Sequence, residues 1–237
     1  MFNKLVIFSG GLDSTVLLEK LVSDAALTNS HYRVTALTFD YGQRHIKEIS
    51  SAARQIVALK NKYDTLLTHI TESINIKGSA LTDKNINVPN AEDVLGDPQP
   101  VTYVPNRNAI MLMIAASIAE ANECDRVYYG AQNQDSFSGY WDTSPEFLER
   151  INSVLELNRE NRIKIEAPFL HYKKSDIVKL GIELDTDFGL THTCYNPSTD
   201  GKLWYSCGKC LTCANRIQAF KQNNIEDPLD YAIPIKW

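Results

Sequence analysis

The chain has 237 residues, 43% of them hydrophobic and 22% charged, with a formal net charge of −5. This is the size and composition of a folded soluble protein of one large domain or two small ones, and its acidity argues against nonspecific binding to nucleic acid or anionic membrane. No stretch approaches the roughly 18 apolar residues of a membrane span and no N-terminal apolar segment reads as a leader, so a cytoplasmic protein is expected.

The first strand is read over Lys4–Phe8, from the apolar run Leu5-Val6-Ile7-Phe8. Ser9-Gly10-Gly11-Leu12-Asp13-Ser14 follows, and a helical pattern then covers Asp13–Val22. Two glycines let the backbone turn tightly and approach a ligand, since neither carries a Cβ. Ser9, Asp13 and Ser14 stand where a helix begins, and its free N–H groups and dipole make an anion site there. The common triphosphate loop carries a lysine in G-x-x-x-x-G-K-[ST]; here no lysine lies between Lys4 and Lys20. The plainer alternative is a strand-to-helix turn with a capping aspartate.

Further strands are expected over Arg33–Phe39, Asp64–Ile70, Arg126–Gly130 and Arg162–Ala167. Helices are expected over Ile46–Leu59, Asn108–Ala121, Pro145–Leu157, Ser175–Leu180 and Leu211–Gln222. The strands are apolar runs rather than alternations, as in a parallel α/β sheet covered on both faces. Ligands of such sheets sit at the carboxyl ends of the strands. Ser9, Asp40 and Ala131 all fall just past predicted strand ends, so their loops should converge. The polar segment Lys77–Pro100, with Pro89, Pro98 and Pro100, reads as a lid or a mobile loop.

Disulfides are not expected in a cytoplasmic protein, so the cysteines need another role. Cys194 is followed by Cys207, Cys210 and Cys213 in a C-x2-C-x2-C run. Four thiolates with two-residue spacings suit tetrahedral zinc, and a closed four-thiolate site is structural because no position stays open for water. A four-iron cluster and a redox Cys-x-x-Cys pair are the rival readings. Cys124, between a helix and a strand, reads as a small buried hydrophobe.

The Ser-Gly-Gly-x-Asp-Ser turn resembles the PP-loop of the ATP pyrophosphatase superfamily. Four more segments narrow the resemblance: Phe39-Asp40-Tyr41-Gly42-Gln43-Arg44-His45, Thr102-Tyr103-Val104-Pro105-Asn106-Arg107-Asn108, Ser138-Gly139-Tyr140 and Thr193-Cys194-Tyr195-Asn196. In this order, from Leu5 to about Phe220, the set is similar to the 7-cyano-7-deazaguanine synthases. The resemblance implies an adenine nucleotide alpha hydrolase-like fold, a parallel doubly wound α/β sheet. Residues 1–237 would form a single domain in which 184–237 make a C-terminal zinc-bearing lobe. It implies conversion of 7-carboxy-7-deazaguanine and ammonia to the nitrile through an adenylated carboxylate, with ATP as substrate. One structural Zn2+ on the four cysteines, a Mg2+ on the triphosphate and a homodimer are also implied.

On that resemblance Phe8, Ser9, Gly10, Gly11, Leu12, Asp13, Ser14 and Thr15, with Phe39 and Asp40, hold ATP. Asp13 is the candidate for Mg2+, and Asp13, Arg107 and Arg44 are the catalytic candidates. Tyr41, Gln43, His45, Asp135, Tyr140, Trp141, Asp142 and Glu146 are expected toward the deazaguanine acid. Its ring shows two donors on one edge, which Asp135, Asp142 or Glu146 would accept, and Tyr140 and Trp141 would stack on it. The plainer readings are a solvated Arg44 and His45, an Arg107 paired with a carboxylate, and aromatic rings used in packing.

The family usually reads Ser-Gly-Tyr-Pro-Asp-Cys-Arg, where this chain has Trp141, Thr143 and Ser144 for the proline, cysteine and arginine. One residue is added between Asp135 and Gly139, Asn106 replaces a glycine, and the segment from Cys194 to Cys207 is longer and carries Trp204 and Tyr205. The changes gather on the substrate side, and the missing arginine removes a fixed cation. Alternatives are therefore a ligase that stops at the amide or joins the acid to another amine, including one on a protein or peptide. A PP-loop tRNA sulfur-transfer enzyme is a lesser alternative, disfavoured by the acidic total and the clustered cysteines. A zinc-bearing binding module with a dead loop is the last.

Overall fold

Short apolar runs bury both faces only when helices cover a sheet on both sides. The computed structural model, which describes residues 3–27, 32–43, 47–63, 67–94, 96–97, 99–132, 140–160 and 163–237, has that arrangement. Strands β1 (Asn3–Ile7), β2 (Val34–Asp40), β3 (Leu67–Ser73), β4 (Cys124–Tyr128) and β5 (Lys164–Glu166) form a parallel sheet in the order β3-β2-β1-β4-β5. Between and after them run α1 (Leu12–Leu27), α2 (Lys47–Lys62), α3 (Arg107–Ala121), α4 (Pro145–Leu155), α5 (Lys174–Glu183) and α6 (Leu211–Gln222).

The central strand shows why the sheet is two-faced. Val6 and Phe8 pack with α1, α2, α5 and α6, whereas Leu5, one residue away, packs with α3 and α4. Adjacent residues of a strand point to opposite faces, so one five-residue strand feeds both cores. Strand order reverses between β1 and β4. The loops after them leave toward opposite layers and open a crevice at the carboxyl edge.

Element bounds differ from the expected ones in places. Helix α1 continues past Val22 to Leu27, since nothing in Ser23–Leu27 breaks a helix. The third strand extends to Ser73, in register with β2 from Leu67↔Val34 to Ser73↔Asp40. The expected start of that strand, 64–66, lies outside the described residues, as do 161–162 before β5.

The lid reading of Lys77–Pro100 is corrected. Ala80 and Leu81 are buried, Ala80 N donates to Val101 O at 2.8 Å, and Ala91 N donates to Lys209 O at 3.0 Å. Leu81 joins the core over α3 and Val88 packs against it, so apolar residues scattered among the polar ones anchor the described part of the segment.

After α5 the chain forms a two-stranded ribbon, β6 (Ser198–Thr199) with β7 (Trp204–Tyr205), which sequence patterning did not anticipate. Its turn is internally satisfied: Asp200 Oδ1 accepts from Lys202 N and Leu203 N, and Gly201 has φ +90°. This ribbon accommodates the extra length between Cys194 and Cys207. The tail is tied back by Arg216, whose fully buried guanidinium pairs with Asp227 and also donates to Thr191 Oγ1 and Phe188 O. Among the described residues no helix is long and apolar enough to cross a membrane.

Candidate active site

The Ser9–Ser14 turn is preformed by its own hydroxyls and by three neighbouring segments. Gly11 N donates to Ser9 Oγ at 3.2 Å, and Ser9 N donates to Ser14 Oγ at 3.2 Å. Thr15 Oγ1, beneath the turn, bonds to Gly11 O at 2.6 Å and to Gln55 Oε1. Gly10 O accepts from His192 N and from Gln55 Nε2, both at 3.0 Å. Gly10 has φ +79°, and a Cβ there would lie 2.8 Å from Ala52 N and 2.9 Å from Glu48 O. Only glycine lets α2 sit this close. The first turn of α1 then aims its unbonded N–H groups into the crevice.

That crevice is a cavity of about 280 Å³. The three predicted loops do converge on it: Ser9 after β1, Tyr41 after β2 and Ala131 after β4 all line it. Gly130 seats the β4 loop against the turn, where a Cβ would lie 3.3 Å from Ser14 N. Lys174, at the start of α5, donates to Asp13 Oδ2 at 2.5 Å, while Asp13 Oδ1 is buried with no hydrogen-bond partner among the described residues. Across the cavity Arg107 opens α3, with its guanidinium 5.9 Å from the Tyr41 ring. Burial pushes the Tyr41 hydroxyl up to about 12. Burial also pushes the Glu48 carboxyl up to about 8, with Arg107 pulling the other way.

The structure brings Phe8, Ser9, Gly11, Leu12, Asp13, Ser14, Phe39, Tyr41, Gln43, Arg107 and Tyr140 to the cavity wall. Gln43 is folded back: its Oε1 accepts from Tyr41 N at 2.8 Å and its Nε2 donates to Phe39 O at 3.1 Å, which shapes the β2 loop. Gly10 and Thr15 support the turn from below. Asp40 is not on the wall; its Oδ1 accepts from Gly42 N at 3.2 Å. Arg44, His45 and Asp135 lie outside the described residues.

Three substrate-side candidates stand elsewhere. Asp142 is buried under the start of α3, accepting from Asn108 N at 3.4 Å, where burial raises its pKa and Arg107 lowers it. Glu146 faces solvent in an i,i+4 pair with Arg150. Trp141 is 45% exposed, donating to Tyr103 OH at 3.0 Å and meeting the Phe147 ring edge-on.

The departures have local physical reasons. Asn106 has φ +53°, a left-handed backbone that suits the glycine it replaces and that asparagine tolerates. Ser144 caps α4, accepting from Phe147 N at 3.1 Å just ahead of Pro145. Sequence reasoning missed Glu48, Lys174, His192 and Tyr195, which also line the cavity. For Lys174 there was a signal: it follows β5, the neighbour of β4, so its loop opens on the same carboxyl edge. Glu48 had none, since only the packing of α2 on Gly10 brings it there.

Beside the turn, the Sγ atoms of Cys194, Cys207, Cys210 and Cys213 all lie within 4.8 Å of one another. Those of Cys207 and Cys213 are 3.9 Å apart, against about 3.8 Å across a tetrahedron with ~2.3 Å metal–sulfur bonds. Backbone amides already point at the sulfurs: Asn196 N and Cys207 N at Cys194, Lys209 N and Cys210 N at Cys207. Gly208, at φ +74°, makes the tight turn between Cys207 and Cys210. Such N–H groups favour thiolates, so the donor set fits a metal ion that needs four of them.

The chain is 38% identical over 227 residues to "7-cyano-7-deazaguanine synthase" of Pseudoalteromonas atlantica, covering 95% of this chain and 97% of that protein. It is 38% identical over 238 residues to the protein of the same name from Clostridium kluyveri, covering 98% of both chains. Among solved structures, the U34-tRNA thiolase NcsA from Methanococcus maripaludis with its [4Fe-4S] cluster shows a TM-score of 0.48 at 15% identity, covering 94% of this chain and 64% of that one. Residues 3–224 match the family described as Queuosine biosynthesis protein QueC, and the chain belongs to that family.

Proposed function

We propose that this chain is an ATP-dependent carbon–nitrogen ligase of the queuosine pathway that makes 7-cyano-7-deazaguanine from 7-carboxy-7-deazaguanine and ammonia. The observation that carries the reading is one cavity joining the amide-rich start of α1, the Asp13–Lys174 pair and Arg107. A carboxylate is a poor electrophile until its oxygen becomes a leaving group. Its attack on the α-phosphate releases pyrophosphate and leaves an acyl adenylate. Ammonia displaces AMP to give the amide, and a second activation, of the amide oxygen, allows its loss as the nitrile forms. No protein nucleophile is needed. Catalysis rests on positioning and on charges facing the phosphates.

In this reading the Ser9–Ser14 amides and Lys174 hold the β and γ phosphates, with Phe39 by the adenosine. The unpartnered Asp13 Oδ1 is the atom best placed to hold Mg2+ or its water. Arg107 faces the acid's carboxylate or the α-phosphate, with Tyr41 and Tyr140 walling the ring. The four cysteines hold a structural Zn2+ within a lobe spanning 184–237 of a single domain, in a cytoplasmic enzyme. Cys124 is buried and burial pushes its thiol up to about 11, which suits packing and not sulfur transfer.

Incubation with the acid, ATP and ammonia, resolved by mass, should yield the nitrile with AMP and pyrophosphate. A second reading, in which the enzyme stops at the amide or accepts another amine, draws on Ser144: it caps α4 where the family's arginine would stand. Amide or conjugate as the final product would favour it.

A homodimer is part of the proposal. The outward side of helix α3 carries apolar residues near its start, with Ile110 and Met113 39% and 41% exposed. The wild type should sediment as a dimer and Met113→Glu as a monomer with unchanged far-ultraviolet dichroism. A monomeric wild type would remove this part of the proposal.

A further inference from the structure

We propose that Glu48 is the proton acceptor that converts bound ammonium into the attacking amine. The inference rests on the amination reading above and adds a residue to it. Among the described residues the acidic side chains on the cavity wall are Asp13 and Glu48. Asp13 is engaged by Lys174 at the phosphate end. Arg107 acts on both Glu48 and the buried Asp142, so Glu48 stands at the Arg107 end of the cavity. The position of Glu48 is set by backbone: its carbonyl lies against Gly10, leaving no room for a Cβ on that glycine. Its carboxyl interacts with Tyr41 and Arg107, both on the cavity wall, on the side where an adenylated carboxyl would lie in this reading.

The chemistry needs a base at that place. Near neutrality ammonia is mostly ammonium, which has no lone pair to attack with. Ammonium gives one proton to the Glu48 carboxylate. The freed nitrogen pair forms the C–N bond, and the C–O bond to phosphorus breaks with its electrons leaving on AMP. The second surplus proton passes from nitrogen to water, and Glu48 returns its own proton to solvent. A carboxyl works best as such a base when its pKa lies near the working pH. Burial moves Glu48 in that direction, and Arg107 on α3 and Tyr41 on the β2 loop are among the charged or titratable groups of the described residues that act with it.

The test separates activation from amination in Glu48→Gln. Acid-dependent exchange of pyrophosphate into ATP reports the adenylate, and ammonia-dependent amide reports the next step. Hydroxylamine, largely unprotonated at neutral pH, reports attack that needs no base. Exchange and hydroxamate formation should stay within about threefold of wild type, while ammonia-dependent product falls by about 10²-fold or more. Glu48→Asp, which keeps the carboxylate, should recover part of the ammonia rate. An unchanged ammonia rate overturns the proposal. So does loss of exchange in a variant with a wild-type melting temperature, which would place Glu48 in binding. Absence of acid-dependent exchange in the wild type would instead sink the ligase reading itself.

Discussion

Gly10→Ala should abolish nucleotide binding and lower the melting temperature by roughly 5–15 °C. Two costs combine. An L-residue in the left-handed backbone at φ +79° costs about 1–2 kcal/mol. The added methyl would also sit 2.8 Å from Ala52 N and 2.9 Å from Glu48 O, both backbone atoms that cannot rotate away; forced overpacking adds about 1–3 kcal/mol. Relief comes only by moving α2 off the turn. That breaks the Gly10 O bonds to His192 N and Gln55 Nε2, and with them the arrangement that aims the α1 amides. Each 1.4 kcal/mol lost from the competent geometry is about tenfold in affinity. Gly11→Ala makes a useful contrast. Its Cβ would meet Ser9 Oγ at 3.1 Å and His192 O at 3.4 Å, so the fold should tolerate it while the phosphate site is crowded. Thermal melts and nucleotide titration of both variants check this. A Gly10→Ala protein that melts and binds like wild type would show that the turn is not the phosphate cradle.

The sheet was legible because β1 and β2 carry apolar runs and helical patterns alternate with the strands along the chain. The order of apolar runs and helices implied parallel strands, and strand ends then located the converging loops. The phosphate end of the cavity was legible for the same reason, since Ser9–Ser14 is continuous in sequence. The opposite wall was not, because it is assembled from segments far apart in the chain. Asp142 and Glu146 are carboxylates in the right family segment. A short 3-10 turn at Trp141–Thr143 and the Ser144 cap nevertheless turn one beneath α3 and the other to solvent. Lys174 and Glu48 carry no motif of their own. Tertiary packing, α5 against α1 and α2 against Gly10, brings them to the site. Lys77–Pro100 misled for a related reason: its polar composition hid the few apolar residues that anchor it.

Removing the Zn2+ proposed for the four-cysteine centre should unfold its surroundings and weaken nucleotide binding together. Four-thiolate zinc sites contribute apparent binding energies of about 10–16 kcal/mol, comparable with the roughly 5–15 kcal/mol stability of a whole domain. The centre stands two residues from the turn's support. His192 N holds Gly10 O, and the His192 ring is paired with Cys194 O at 3.1 Å. On the other side Thr212 Oγ1 at the start of α6 donates to Thr193 O at 2.9 Å, and Arg216 one turn later binds Thr191 Oγ1. Losing the ion removes the bonds that tie Cys194 to Cys207, Cys210 and Cys213, and frees the segment that carries Thr191–Cys194 from α6. Arg216 and Asp227, buried as a pair, then lose the enclosure that holds Thr191 and Phe188 against them. Chelation, or Cys207→Ser with Cys210→Ser, should therefore lower helical dichroism, speed amide exchange over α6 and reduce nucleotide affinity in step. A demetallated protein that keeps its helix signal and binds nucleotide normally would show that the Arg216–Asp227 pair alone suffices to hold the turn's support.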